Sequence, residues 1–296
     1  MSQPALLVIY CASIVGFSLL GGILPHCFRL THFRLQMAMS FVGGAMLSVG
    51  VLNMLPHAIE AWDGESFVPA CWLLGGFLFM FFVERVFHFH HHDAPDEDGG
   101  DCDHEHHEGD SHHHHHPPEQ PRRLTWGAAL AGLVVHSALD GMALGASMQA
   151  EPEVGVWPGS VVFLAILLHK PFDSLTLGTL MAVAGRPAGQ RHLVNFLYAL
   201  AVPLGAILYD VAADRMAGGD WHITASVLAF SAGTFLCIAT SDLLPELQFH
   251  SHDRVLLSVA LIAGIVLAGI GAYVDHAGHA PHATHSQGSV HHHDRE

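Results

Sequence analysis

Hydropathy along this chain rises and falls eight times. Apolar stretches of the roughly 20 residues a bilayer requires cover about 4 to 24, 38 to 58, 70 to 88, 124 to 148, 157 to 182, 191 to 212, 222 to 246 and 254 to 274. Each predicts a transmembrane α-helix, because a helix closes its backbone hydrogen bonds within one lipid-facing segment. The expected fold is all-α, a polytopic membrane bundle of eight helices. Residues 1–89 hold the first three spans, 90–121 a His-rich loop, 122–274 the last five spans and 275–296 a His-rich tail. The chain opens Met1-Ser2-Gln3-Pro4 with no basic n-region and no clear cleavage site, so the first stretch reads as a retained helix. An even number of spans puts both ends on one side.

Two stretches share the same polar interruption. The fourth contains His136-Ser137-Ala138-Leu139-Asp140-Gly141-Met142-Ala143-Leu144-Gly145, and the fifth His169-Lys170-Pro171-Phe172-Asp173-Ser174-Leu175-Thr176-Leu177-Gly178. Both read His, three residues, Asp, three residues, Leu-Gly. Positions i and i+4 share a helix face, so each span presents an imidazole above a carboxylate at membrane depth, where ionisable groups are costly and point to function. A second similarity joins the second and seventh stretches. Phe41 to Leu47 and Asn53-Met54-Leu55-Pro56 align with Phe230 to Leu236 and Asp242-Leu243-Leu244-Pro245 at a constant offset of 189. Successive crossings make the similar segments run in opposite directions. That is the trace of an inverted-topology repeat, in which secondary transporters place their sites near the midplane.

Composition fits a lipid bilayer as the main partner: 51% of the 296 residues are hydrophobic and 13% charged, against about a quarter charged in soluble domains. The formal charge is -16, yet ten of the 27 acidic residues fall between His88 and Glu119. A chain this acidic has no nucleic-acid partner. Cys11, Cys27, Cys71, Cys102 and Cys237 are scattered and form no C-x-x-C, which argues against a disulfide framework or a thiolate zinc site. Of 28 histidines, twelve lie between His88 and His116 and seven between His276 and His293. The loop from His90 to Pro121 and the tail after Tyr273 are too polar to bury a core and are expected to be disordered without ligand.

Basic residues near span ends set orientation. The connections after spans 1, 3, 5 and 7 hold Arg29, Arg34, Arg85, Arg122, Arg123, Arg186, Arg191 and Arg254, while the alternate connections hold only Arg215. Both termini are therefore expected outside and the His-rich loop in the cytoplasm.

Two imidazoles and two carboxylates suit zinc or another first-row divalent ion, zinc favouring about four ligands. His136, Asp140, His169 and Asp173 supply that number, leaving a net charge of -2 before Lys170 is counted. The plainer alternative is that each His caps a carbonyl and each Asp bonds a neighbouring Ser or Thr. Pro171 frees carbonyls one turn into the fifth span, and Gly141 and Gly145 permit close helix approach. Asn53 and His57, toward the outer end of the second span, are candidates for an ion entrance. Asp242, Glu246, His250 and His252, at the cytoplasmic end of the seventh, are candidates for an exit. No G-x-x-x-x-G-K-[ST] loop is present, so ATP does not drive the process directly, and no organic cofactor is expected. Three functions compete on the residues alone. The first is transport. The second is an intramembrane zinc-dependent hydrolase, whose usual His-Glu-x-x-His signature is absent. The third is a metal-sensing or storage protein built on the His-rich segments, which bind metal weakly and at many stoichiometries.

The His-Ser-Ala-Leu-Asp-Gly-Met-Ala-Leu-Gly motif, His169-Lys170-Pro171, Leu-Pro in spans 2 and 7, eight spans and the His-rich loop after span 3 resemble the ZIP (Zrt/Irt-like) divalent-metal transporters. The resemblance covers essentially the whole membrane region. It implies a non-enzymatic cell-membrane protein that carries zinc or a related dication into the cytosol. It also implies a transport site on the fourth and fifth spans, at His136, Asp140, His169 and Asp173 with Ser137 beside them, and a further ligand from the second. There the family commonly has His; this chain has Asn53, a weaker ligand. Some members carry a carboxylate directly after the first ligand of the fifth span and hold two metals. Here that residue is Lys170, whose ammonium pairs with Asp140 or Asp173 and repels a second dication, so one metal is expected. Preferred metal, proton coupling and a homodimer stay open at this stage.

Overall fold

The computed structural model describes residues 2–27, 32–87, 126–151, 157–216, 221–249 and 254–279. The His-rich loop and most of the His-rich tail lie outside the described residues. Among the described residues, eight helices are long and apolar enough to cross a membrane: α1 (Gln3–Ile23), α2 (Phe33–Glu60), α3 (Phe67–Val86), α4 (Trp126–Ala150), α5 (Ser160–Val183), α6 (Ala188–Arg215), α7 (His222–Ser241) and α8 (Val255–His276). At about 1.5 Å per residue, even the shortest reaches the ~30 Å of a hydrocarbon core. All eight coincide with the apolar stretches of the sequence. Two carry local breaks. In α2 one π-helical turn, Gly50–Met54, loosens the helix, and α6 is divided at Leu200 into Ala188–Ala199 and Ala201–Met216.

The large apolar side chains that remain exposed, such as Val8, Phe82, Leu204 and Ile262, lie on the outside of the bundle. Polar residues turn the other way: Ser137, Asp140, His169 and Lys170 are all buried. This inside-out distribution is what a solvent of acyl chains selects, since an unsatisfied polar group in hydrocarbon costs several kcal/mol.

Helix pairing carries the internal repeat further than the sequence alone. The most extensive contacts pair α2 with α8, α3 with α7, α2 with α7, α4 with α6 and α1 with α5. Exchanging α1 with α6, α2 with α7, α3 with α8 and α4 with α5 maps this set onto itself. The correspondence holds at single residues. A Cβ on Gly44 would overlap the carbonyl oxygen of Leu261, and one on Gly233, 189 positions later, that of Leu73. Conversely, a Cβ on Gly264 would strike the carbonyl of Phe41, and one on Gly76 that of Phe230, again 189 after Phe41. In the other half Gly205 admits Ala138 and Gly21 admits Pro171, and Ala138 and Pro171 are the 33-residue equivalents of the His/Asp motif. Small residues at these crossings let backbones approach closely, and dispersion and weak Cα–H···O contacts hold helices together where lipid supplies no hydrophobic drive.

The pairings divide the bundle into two groups, α2/α3/α7/α8 and α1/α4/α5/α6. The groups meet mainly where α4 crosses α7 and α5 crosses α2. The eighth helix continues to His279, past the expected tail boundary at 275. Asp275 therefore belongs to the bundle and is buried; the apolar run ends before it because the last turn faces other polar helix ends rather than lipid.

Candidate metal centre

The i, i+4 spacing on α4 and α5 does what helical geometry requires. His136 and Asp140 face His169 and Asp173 across the α4–α5 contact, with the two imidazole centroids 5.4 Å apart. His136 Nε2 lies 3.4 Å from Asp140 Oδ2 and 3.5 Å from Asp173 Oδ2. His169 Nε2 lies 3.2 Å from the same Asp140 oxygen and 3.9 Å from that of Asp173. Donor atoms of His136, Asp140 and His169 all fall within 4.8 Å of one another, and the three side chains are buried. Asp173 is 17% exposed, more than the other three.

Lys170 sits at the centre of the negative charge. Its Nζ donates to Asp140 Oδ2 at 2.6 Å, to Ser137 Oγ at 2.9 Å and to Asp173 Oδ2 at 3.0 Å. It therefore pairs with both carboxylates rather than with one. Buried carboxylates without a compensating cation are strongly unfavourable, and the ammonium supplies that compensation.

The histidines are prepared differently. His169 Nδ1 is 2.8 Å from the Ala165 carbonyl. A carbonyl only accepts, so Nδ1 carries the proton and, in the neutral ring, Nε2 keeps its lone pair toward Asp140. Neither ring nitrogen of His136 has a hydrogen-bond partner among the described residues, and Asp140 Oδ1 has none either. Buried polar atoms left in this state suit a ligand that supplies the missing interaction.

Tyr198, in the first segment of α6, was not singled out from the sequence. Its hydroxyl donates to Asp173 Oδ2 at 3.0 Å and accepts from Ser137 Oγ at 2.8 Å, orienting the carboxylate from behind, as outer-shell partners do. The one available signal was the polar pair Asn195 and Tyr198, one turn apart in an apolar run. From α7, Phe235 stands edge-on to His169 with centroids 6.2 Å apart and lines the cluster on the side of the other helix group.

Asn53 and His57 are buried on α2, but Asn53 Nδ2 donates to Asp275 Oδ2 at 3.0 Å, in a second polar cluster at the ends of α2 and α8. The π-helical turn bears Asn53 in its penultimate position. The helix containing α7 runs on to Phe249; the side chains of Asp242 and Glu246, and the whole of His250 and His252, lie outside the described residues.

Eight spans around a buried cluster of imidazoles, carboxylates and one ammonium define a polytopic membrane protein with a site of metal-ligating side chains. The chain belongs to the ZIP zinc transporter family, whose model matches residues 5–272. It is similar to zinc transporter ZIP9 of Micropogonias undulatus, 38% identical over 129 residues, which cover 42% of this chain and 40% of that protein. The Caenorhabditis elegans zinc transporter zipt-7.2 is 30% identical over 267 residues, 79% of this chain and 57% of the relative. Zinc transporter 3 of Arabidopsis thaliana is 24% identical over 285 residues, 90% of this chain and 82% of the relative. The chain thus spans about two-fifths of the ZIP9 relative's length.

Proposed function

We propose that this chain is a secondary transporter that carries zinc or a related divalent ion across the membrane into the cytosol. The ion binds between α4 and α5 through His136, Asp140, His169 and Asp173. The observation that carries the reading is the convergence of both imidazole Nε2 atoms on two carboxylate oxygens at 3.2 to 3.9 Å, on two neighbouring helices inside the bundle. In a tetrahedral zinc site with bonds of about 2.0 Å, donor atoms stand about 3.3 Å apart, so only small adjustments are needed.

Lys170 acts as a tethered cation that holds the carboxylates when the metal is absent. An arriving dication displaces the ammonium from Asp140 and Asp173; its return as the ion leaves keeps the buried carboxylates paired. Coordination and release then become an exchange of cations rather than the creation and loss of a bare charge pair. The division into two helix groups supports alternating access, with α1/α4/α5/α6 moving against α2/α3/α7/α8. The distribution of arginines supports both termini outside, and the His-rich loop of residues 90–121 buffers or senses cytosolic metal. The resemblance to ZIP transporters supports direction into the cytosol.

Uptake of radiolabelled zinc into proteoliposomes tests the reading. Wild type should accumulate zinc, and His136→Ala/His169→Ala should reduce uptake to the level of empty liposomes. Equal uptake by the two proteins would sink the proposal.

A further inference from the structure

A second group of metal-ligating side chains lies at the other end of α4. Asp140 and Glu151 are separated by eleven residues, about 16 Å along the helix axis, so this group is well clear of the α4–α5 cluster. His57, Glu151 and Asp275 each place a ligand atom within 4.8 Å of the others, and all three are buried. They come from α2, the end of α4 and α8. The geometry points to a second divalent-cation site, of the zinc class, formed by His57, Glu151 and Asp275 and bridging the two helix groups.

Each ligand is already oriented. His57 Nδ1 is 2.8 Å from the Asn53 carbonyl, so that nitrogen carries a proton and Nε2 is turned to Asp275 Oδ2 at 3.5 Å. This is nearly the donor–donor spacing of about 3.3 Å that a tetrahedral zinc site imposes. Asn53 Nδ2 steadies the same carboxylate from the side at 3.0 Å, as outer-shell groups do for metal ligands. Glu151 is 2% exposed. Its Oε2 accepts from the Gly159 N–H at 2.5 Å, which anchors the side chain to the start of α5, while Oε1 has no hydrogen-bond partner among the described residues. A carboxylate oxygen buried and left unsatisfied beside an imidazole and a second carboxylate lacks a positive partner.

The donor set states the ligand's chemistry. Two carboxylates and one neutral imidazole balance a dication, and the imidazole favours first-row transition ions and zinc over calcium or magnesium. Three protein ligands leave one position for water, the arrangement of an exchangeable rather than a structural site. Further ligand types lie on the surface side of His57. Glu60, 66% exposed, faces His276 Nδ1 at 3.8 Å, and the His276 ring stacks on His57 with centroids 4.5 Å apart.

The site stands whether or not the α4–α5 cluster carries ions across. Anomalous diffraction at the zinc edge from zinc-soaked crystals of the full chain tests it. One peak is expected among His57, Glu151 and Asp275, separate from any peak at His136, Asp140 and His169, and calcium soaking should leave the new position unoccupied. Glu151→Gln/Asp275→Asn, which keeps shape and the Gly159 hydrogen bond, should abolish this peak and leave the α4–α5 peak undiminished, which also reports that the variant is folded. His57→Gln alone should weaken it by at least half. No peak in crystals whose α4–α5 site is occupied, or a peak that survives the double substitution, would overturn the inference. A peak at this site with none at α4–α5 would instead uphold it and count against the proposed transport site.

Discussion

Replacing Lys170 by Met tests the tethered-cation mechanism most directly. A zinc ion bonded to Asp140 Oδ2 at about 2.0 Å would lie at most about 4.6 Å from an ammonium that remains 2.6 Å from the same oxygen. With an effective dielectric of about 20, a doubly and a singly charged cation at that separation repel by about 7 kcal/mol. The lysine relieves part of this by swinging away, so a little under half is expected in the measured affinity. That is on the order of 3 kcal/mol, or about 100-fold tighter zinc binding in the variant. In proteoliposomes the variant should reach half-maximal uptake at far lower zinc, with slower turnover because release now leaves two unpaired carboxylates. The same loss should lower the thermal midpoint of the metal-free protein, a broken buried pair costing about 3–5 kcal/mol, and zinc should restore it. A variant whose half-saturation and turnover stay within about twofold of wild type, with an unchanged metal-free midpoint, refutes this role for Lys170.

Further expectations address other parts of the bundle. Tyr198→Phe removes a donor to Asp173 and should weaken zinc half-saturation about tenfold, consistent with losing one hydrogen bond to a charged group at about 1.5 kcal/mol, while leaving the thermal midpoint within a few degrees of wild type. Gly76→Val should give a protein that unfolds or aggregates in detergent, because its Cβ meets the Phe230 carbonyl, whereas a Cβ on the adjacent Gly75 meets nothing within 4 Å and Gly75→Val should fall within about 0.5 kcal/mol of wild type; size-exclusion profiles and thermal scans of the pair decide. Ser18→Ala removes the 2.7 Å hydrogen bond to Ser174 and should lower stability by about 1 kcal/mol, read as a small shift in the thermal midpoint. Deleting residues 90–121 should preserve the initial rate of zinc uptake but lower the tolerance of expressing cells to excess zinc; unchanged tolerance would leave the loop as a tether.

The number of helices and the core of the site were legible because each follows from a local rule. Hydropathy over about 20 residues sets a span, and the i, i+4 rule carries His136 to Asp140 and His169 to Asp173 without any knowledge of packing. What the sequence did not disclose depends on which helices meet. Tyr198 becomes part of the cluster only through the contacts that α6 makes with α4 and α5, and nothing local distinguishes it from an interfacial tyrosine. Glu151 lies three residues and Asp275 one residue beyond their apolar runs, so a boundary drawn by hydropathy puts them in loop and tail. Their partners come from other helices, and burial at a helix end is a property of the assembly. Asn53 is a further case: motif position suggested the midplane site, and in the structure its amide donates to Asp275. The repeat was visible at Phe41 and Phe230, but the reciprocal glycine-to-carbonyl crossings that give it physical meaning required the helix pairing.

The division of the bundle has a consequence for how selectivity and speed can vary. Every side chain of the α4–α5 cluster, with Ser137 and Tyr198 behind it, belongs to one helix group. In the proposed transport cycle, displacement between the groups would change which compartment sees the ion without altering the spacing among its ligands. Discrimination between metals is then set within α4, α5 and α6, and the pace of the cycle at the seams where α4 crosses α7 and α5 crosses α2. Random substitutions screened for altered metal preference and for altered rate should map to these two separate territories, so that one property can drift while the other is held.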